Sequence, residues 1–157
     1  MVKAAEDRDC DDGAVPLHDG RAFGWFEREG SIQVWEVKTG KRVGLEMFPI
    51  GVSSIAWTPD GKQIAFISDR GGKSDLYVKA ASGLGAEERI QEGVDGVSHW
   101  SSDGKFLLTA KNLGGNWDTW VLPMTGDRKP YPLLNQRYTE YRGEFSPDGR
   151  WLVAGAG

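Results

Sequence analysis

The sequence is poor in the residues that build metal and redox sites. Its 157 residues include one cysteine, Cys10, and two histidines, His18 and His99. A single cysteine excludes an intrachain disulfide and a multi-cysteine zinc site, and neither histidine has a cysteine or carboxylate at the spacing typical of zinc. No apolar run approaches the roughly 18 residues that a membrane span requires. We therefore expect no metal site, no cofactor and no membrane insertion.

An excess of positive charge is also missing. The chain has 19 Lys and Arg residues against 23 Asp and Glu, which gives a net charge of −4. Because no basic field is available to attract phosphate groups, we expect no nucleic-acid partner. Much of the negative charge lies before residue 14. We expect residues 1–17 to form an acidic, disordered tail and residues 18–157 to form the folded part.

Glycine and tryptophan are abundant, with 22 and 7 residues, and there are 7 prolines. Glycine disfavours helices through its backbone entropy and proline through its missing hydrogen-bond donor, and both favour turns. Large aromatic side chains suit strands. This composition predicts an all-β protein.

A short turn motif recurs along the chain, with an aromatic residue four positions before the glycine of an Asp-Gly pair. The copies are Trp57-Thr58-Pro59-Asp60-Gly61, Trp100-Ser101-Ser102-Asp103-Gly104 and Phe145-Ser146-Pro147-Asp148-Gly149, with a fainter fourth ending at Asp19-Gly20. The glycines are 41, 43 and 45 residues apart, which is the spacing of propeller blades. Aspartate can bond its local backbone and glycine adopts the left-handed conformation, so we expect these pairs to anchor hairpin turns.

The repeat divides the folded part into blades. An apolar run follows each turn, and a further strand pattern begins at Asp75 and again at Asp118. The segment 130–134 contains prolines, which an outer edge strand tolerates. We therefore predict a partial β-propeller of about three and a half four-stranded antiparallel blades, at 18–50, 51–93, 94–140 and an incomplete 141–157. Pro16 replaces the aromatic residue of the first copy, which argues against a regular first strand in the first blade.

The last copy of the repeat reaches only two strands. An open blade leaves the strand at 151–153 with an unpaired edge and a partly wet apolar face. Three explanations remain open: the sequence is a fragment of something longer, two copies associate to complete one ring, or a further segment follows.

Sequence patterns for catalysis are missing. Neither a Gly-x-Ser-x-Gly nucleophile motif nor the kinase signature set is present, so we predict no catalytic residue and no enzymatic activity in this chain. Trp57 and Trp100 occupy equivalent repeat positions, as do Tyr77 and Trp120, which is what core packing between blades requires. Trp117 has no aromatic counterpart in the second blade, and we place it in an exposed loop at 112–117. With the charged residues Asp69, Arg70 and Arg128 it forms the candidate interaction surface.

Two segments resemble a known repeat. Ala56-Trp57-Thr58-Pro59-Asp60-Gly61-Lys62-Gln63-Ile64-Ala65-Phe66-Ile67 and Phe145-Ser146-Pro147-Asp148-Gly149-Arg150 are similar to the bacterial WD-like propeller repeat of TolB-type proteins. The same repeat occurs in the propellers of prolyl-oligopeptidase-like peptidases and behind some bacterial Ser/Thr kinase domains. The resemblance covers about residues 20–157. It is specific for the repeat and not for a function.

The four-copy repeat, together with the lack of any assembled acid, base, nucleophile or metal shell, predicts a noncatalytic propeller module for protein–protein interaction or scaffolding, as part of a larger propeller. The alternative is the propeller segment of a larger enzyme, a peptidase or a Ser/Thr kinase, in which it gates or senses substrate. No apolar signal segment follows Met1. We therefore expect a cytoplasmic location if Met1 is the native start, and by resemblance a periplasmic one if the sequence is an excised segment.

Overall fold

The computed structural model describes residues 13–16, 22–27, 31–47, 51–133 and 140–156. Within these ranges the regular elements are all strands, arranged in three four-stranded sheets and one two-stranded sheet. Every pairing is antiparallel, and neighbours in each sheet follow one another along the chain. Each sheet is therefore a meander, as expected for the blade of a propeller.

The strands fall into four successive blades. Blade 1 contains β1 (Gly13–Pro16), β2 (Ala22–Glu27), β3 (Ser31–Glu36) and β4 (Lys41–Met47). Blade 2 contains β5 (Val52–Trp57), β6 (Gln63–Ser68), β7 (Asp75–Ala80) and β8 (Glu88–Glu92). Blade 3 contains β9 (Gly96–Trp100), β10 (Phe106–Leu113), β11 (Asn116–Pro123) and β12 (Tyr131–Pro132). Blade 4 contains β13 (Glu140–Phe145) and β14 (Leu152–Ala156). The predicted all-β partial propeller is confirmed.

The first blade begins earlier than its sequence suggests. Strand β1 lies in the stretch that we expected to be tail, and Pro16 pairs with Phe23 of β2 in a regular register. Pro16 is the last residue of β1, and within the described sheet β1 has only β2 as a neighbour. Proline is tolerated at such an edge because its missing N–H has no ladder partner to lose. The rest of the expected tail, residues 1–12 and 17, lies outside the described residues, as do His18, Asp19 and Gly20.

The three Asp-Gly turns share one hydrogen-bond pattern. The hydroxyl of Thr58, Ser101 or Ser146 donates to the aspartate two residues later, at 2.6–2.7 Å. It also accepts the backbone N–H five residues later, at 2.9–3.0 Å. Each aspartate accepts the N–H of the residue after the glycine, at 3.0–3.1 Å. The glycines Gly61, Gly104 and Gly149 have φ between 68° and 74°, a conformation that residues with a Cβ rarely adopt.

These hydrogen bonds stabilise the ionised form of Asp60, Asp103 and Asp148, which we call the turn aspartates. Each has a pKa lowered below its usual value. For Asp103 and Asp148 the serine hydroxyl is the largest cause, followed by the backbone N–H. For Asp60 the backbone N–H of Lys62 comes first and the hydroxyl of Thr58 second. In each turn the hydroxyl and one backbone N–H donate to the same carboxylate, and these two bonds favour its ionised form.

Apolar side chains fill the spaces between blades. The cluster between blades 1 and 2 contains Ile32, Val34, Val52, Ile55, Trp57, Ile64 and Phe66. The cluster between blades 2 and 3 contains Ala56, Ala65, Ile67, Leu76, Val78, Val94, Val97, Trp100, Leu107 and Leu122. Alternate residues of β5 and β6 belong to different clusters, as the two-residue period of a strand requires. The core therefore lies between the sheets.

Blade 4 packs closely on blade 3 because β13 carries a glycine. A Cβ at Gly143 would lie 2.9 Å from Leu108 Cδ1 and 3.7 Å from Thr119 Cγ2. Leu108 is completely buried. Any side chain at this position would push against the core of blade 3, so the glycine sets the distance between the last two sheets.

Candidate interaction surface

Trp117 lies on a strand and not in a loop. Strands β10 and β11 pair without interruption up to Leu113 opposite Asn116, so the hairpin is longer than we expected. Its tight connection is Gly114-Gly115, where both residues have positive φ. Trp117 is partly buried, and its ring lies 3.9 Å from the position of a Cβ on Gly96. A Gly-Gly pair between two strand patterns is a known hairpin signal that identifies this turn.

Arg70 makes its described contacts with other residues of blade 2. Its Cζ lies 3.8 Å from the centroid of the Tyr77 ring, which stacks on Phe66 at 5.7 Å. Its guanidinium pairs with Glu87, and Glu87 Oε1 also lies 3.8 Å from Lys79 Nζ. Burial lowers the pKa of Arg70, but the hydrogen bonds with Tyr77 and Glu87 more than offset this and raise it. Arg70 therefore links Tyr77 of β7 to Glu87, which directly precedes β8.

Asp69 and Arg128 are also tied to neighbouring residues. The Asp69 carboxylate lies where a side chain on Gly51 would be, with Oδ1 only 1.8 Å from the position of that Cβ. Gly51 has a φ of 74°, so the approach depends on glycine at this position. Arg128 has a φ of 51° and donates to Glu88 Oε1 at 3.3 Å, linking the loop after β11 to blade 2. The structure does not bring Trp117, Asp69, Arg70 and Arg128 together into one described contact.

Two hydrogen bonds between blades have no signal in the sequence. The backbone N–H of Val97 donates to Ser54 Oγ at 2.9 Å, joining β9 to β5. The backbone N–H of Phe145 donates to His99 Nδ1 at 3.1 Å, joining β13 to β9. The rings of His99 and Phe145 are 6.1 Å apart. Both contacts link the first strands of adjacent blades, and they assign His99 a role in joining blades 3 and 4.

Blade 4 presents an apolar face on the side away from blade 3. Val153 stands four residues after its turn glycine, as do Ala65 in blade 2 and Leu108 in blade 3. Ala65 and Leu108 are 0% exposed, whereas Val153 is 66% exposed. Trp151, two residues earlier on the same side of the strand, is 69% exposed. Glu144, which pairs with Val153, is exposed too.

We call Glu144, Trp151 and Val153 the open face. These three residues line a groove of about 270 Å³ together with Phe145, Leu152 and the turn residues Ser146 and Pro147. In blades 2 and 3 the position of Val153 is covered by the next blade, whereas the position of Trp151 holds the exposed Gln63 and the partly buried Phe106. The open face is therefore the place where the repeating pattern of burial stops.

Other site classes have little support in the described part of the chain. No group of three or more His, Cys, Asp or Glu residues there is arranged to hold a metal ion. The residues described also include no helix that is long and apolar enough to span a membrane.

Comparison with known proteins identifies the architecture. No protein-family model matches the chain. A protein described as a TolB of Agrobacterium tumefaciens superposes with a TM-score of 0.77 at 19% identity, over 92% of this chain and 53% of that one. TolB from Acinetobacter baumannii gives a TM-score of 0.72 at 19% identity, over 91% of this chain and 37% of that one. The chain has the TolB-type β-propeller fold.

Proteins of other kinds also match the chain. Hydrazine synthase of Kuenenia stuttgartiensis superposes with a TM-score of 0.66 at 21% identity, over 98% of this chain and 45% of that one. By sequence, the uncharacterized peptidase YuxL of Bacillus subtilis strain 168 is 31% identical over 130 residues. That match covers 80% of this chain and 19% of YuxL. The chain thus spans about a fifth of its curated relative, and these likenesses establish a propeller module rather than an activity.

Proposed function

We propose that this chain is a noncatalytic β-propeller module for protein–protein interaction or scaffolding, as part of a larger propeller, and that the open face of blade 4 is its contact surface. The observation that carries the proposal is the change in burial from 0% at Ala65 and Leu108 to 66% at Val153. The strand position four residues after the turn glycine is thus buried in blades 2 and 3 and exposed in blade 4. Exposed apolar patches beside a polar rim are typical of protein interaction sites.

The open face has the composition of an interface. Tryptophan supplies a large flat contact area and is enriched among residues that dominate binding energy. Covering a valine-sized side chain stabilises a complex by about 1.5 kcal/mol or more. Glu144 gives the face one charged group, which supports orientation of a partner more than affinity. Scaffolding and completion of a larger propeller both use this kind of contact.

The noncatalytic part of the proposal is supported by how the polar side chains are used. His99 accepts a backbone N–H through Nδ1, and the turn aspartates are held by local donors. These groups have structural partners and do not converge on a common cavity. An enzyme site requires a nucleophile, base or metal at a shared reacting position.

Affinity capture with matched variants tests the proposal. We expect the wild-type chain to retain a defined protein from a lysate of the source organism and Val153→Lys to lose it. Leu84→Lys is the control, because Leu84 is 76% exposed in a loop of blade 2, away from the open face. Equal recovery by both variants, or no specific partner for the wild type, would contradict the proposal.

A second copy of the chain is an alternative occupant of the open face. Light scattering detects this case as twice the monomer mass at high protein concentration. The Val153→Lys variant then returns the chain to a monomer, whereas Leu84→Lys does not.

The second candidate function is the propeller segment of a peptidase. It is favoured by the 31% identity to YuxL over 130 residues. In this case the hydrolytic residues lie outside the present sequence, and the propeller controls access of substrate to them. The coding sequence on either side decides the matter, because an in-frame hydrolase domain supports this candidate and unrelated genes argue against it.

A further inference from the structure

Blades 2 and 3 each carry a buried carboxylate at the same place in the third strand. Asp75 stands 14 residues after the turn glycine of blade 2, and Asp118 stands 14 residues after that of blade 3. The two residues are 7% and 8% exposed. Burying a charge is costly unless a cation and hydrogen bonds compensate it, so each of these aspartates requires a partner.

In blade 2 the chain itself provides the partner. The guanidinium of Arg89 lies 3.4 Å from Asp75 Oδ2, and the backbone N–H of Gly93 donates to Oδ1 at 3.0 Å. Arg89 belongs to the edge strand β8, where it pairs with Tyr77. The Arg89 side chain is half exposed, so its cation reaches the carboxylate from the surface of the blade.

In blade 3 a proline stands in the place of this arginine. The edge-strand residue opposite Trp120 is Pro132, which has no charged group. Among the described residues, no hydrogen bond or ion pair reaches the Asp118 carboxylate. Pro132 is exposed, so the place that Arg89 takes in blade 2 is accessible from solvent in blade 3.

The lysine opposite Asp118 does not replace the arginine. Lys111 pairs with Asp118 in the ladder between β10 and β11, but its Nζ lies over the Trp120 ring, 4.8 Å from the centroid. Arg70 makes the equivalent contact with Tyr77 in blade 2, at 3.8 Å. The aromatic ring of the third strand thus has a cation in both blades, whereas the carboxylate has a described one only in blade 2.

We infer that Asp118 binds a guanidinium group of another molecule, in the place that corresponds to Arg89 beside Asp75. A guanidinium suits a buried carboxylate because it donates parallel N–H groups and stays charged when water is removed. Asp118 lies on the same face of β11 as Leu122, which packs between blades 2 and 3. The site is therefore separate from the open face, and the inference goes beyond the proposed function.

Two small probes of nearly the same shape test the recognition of charge. N-acetyl-arginine amide carries the guanidinium, and N-acetyl-citrulline amide carries an uncharged urea group instead. We expect the arginine probe to bind the isotope-labelled 157-residue chain saturably and to shift the NMR resonance of the Asp118 carboxyl carbon. The citrulline probe should bind at least about tenfold more weakly, as should the arginine probe to Asp118→Asn, the effect of a lost charge-assisted hydrogen bond.

Matched aspartate variants test whether the chain already pairs Asp118. Removing the charge of a paired carboxylate destabilises a protein, whereas removing an unpaired buried charge does not. We therefore expect Asp75→Asn to lower the urea concentration at half unfolding and Asp118→Asn to leave it unchanged or raise it. The arginine probe should raise this midpoint for the wild type and for Asp75→Asn, and not for Asp118→Asn.

Three results would overturn the inference. They are equal binding of the arginine and citrulline probes, equal binding of N-acetyl-lysine amide, and a loss of stability in Asp118→Asn as large as that in Asp75→Asn. Val153→Lys separates the inference from the proposed function, because it should bind the arginine probe like the wild type. Loss of the captured protein in Val153→Lys, with the probe still bound, leaves both intact, and loss of probe binding in Val153→Lys contradicts a separate site.

A peptide identifies the source of the guanidinium. The probe is Gly-Gly-Arg-Gly-Gly with blocked ends, compared with N-acetyl-arginine amide. Tighter binding of the peptide supports an arginine side chain of a polypeptide, and equal binding supports a small guanidino compound. Binding of neither probe would show that Asp118 does not take a guanidinium.

Discussion

Replacing Ser101 by alanine removes two hydrogen bonds from the turn of blade 3. The hydroxyl donates to Asp103 Oδ1 at 2.7 Å and accepts the N–H of Phe106 at 2.9 Å. Ser101 is 3% exposed, so water cannot easily replace the lost acceptor. Ser146→Ala removes the equivalent bonds in blade 4, where Ser146 is partly exposed and Trp151 is on the surface.

The difference in burial sets the expected magnitudes. A buried N–H left without an acceptor costs about 1–3 kcal/mol, and we expect about 2 kcal/mol for Ser101→Ala. For a chain of this size that lowers the unfolding temperature by roughly 4–8 °C. Ser146→Ala is expected to cost less than about 1 kcal/mol, because water can bond to the freed N–H of Trp151.

Thermal unfolding followed by circular dichroism measures both variants. Ser101→Thr is the control, because Thr58 makes the same bonds in blade 2, and it is expected to unfold near the wild-type temperature. Amide exchange at Phe106 should increase in Ser101→Ala and not in Ser101→Thr. Equal unfolding temperatures for Ser101→Ala and Ser146→Ala, or an unstable Ser101→Thr, would refute the link between burial and the strength of these bonds.

Three further predictions concern charge and packing. The turn aspartates have lowered pKa values in the folded chain. Their ionised form therefore stabilises the fold at a pH above the unfolded pKa of about 4, and this stabilisation is lost as the pH falls through the pKa of the folded chain. Thermal unfolding between pH 6 and pH 2 should show this loss, and asparagine at all three positions should make the unfolding temperature less dependent on pH. An unchanged dependence on pH would contradict the prediction. Gly143→Ala is expected to lower the free energy of unfolding in urea by about 1–3 kcal/mol. The loss is expected to be smaller in a chain that already carries Leu108→Ala, because that change makes space for the new methyl group. Strictly additive losses would show that the two residues do not touch. Ser54→Ala leaves the N–H of Val97 without its acceptor and should cost about 1 kcal/mol, with faster amide exchange at Val97 as the check.

The local parts of the structure were predictable from sequence. The Asp-Gly turns depend on short-range rules, namely a side-chain acceptor close to its donors and a glycine with positive φ. The blade period follows from the same turns. The exposed strand at Trp151 and Val153 was also expected, because the apolar face of a blade stays partly wet until another blade packs on it.

The contacts between distant segments were not predictable. The distance from Ser54 to Val97, or from His99 to Phe145, depends on how two sheets pack, and no residue pattern encodes it. The position of Trp117 was wrong because the Gly114-Gly115 pair looked like a flexible loop rather than a two-residue turn. Arg70 was predicted to be a charge on the surface, because no residue pattern near it in the sequence shows that it stacks on Tyr77, seven residues later.

The hydrogen bonds between first strands give the propeller a direction. In each described case a backbone N–H of the later blade depends on a side chain of the earlier one, Val97 on Ser54 and Phe145 on His99. A nearest-neighbour chain of this kind orders its units one after another. Blades 1 and 4 each have a neighbour on one side only in the described structure, and blade 4, with two described strands against four in blade 1, is expected to open first. The proposed contact surface lies on that unit, so a ligand there would raise the stability of this blade and slow unfolding from that end.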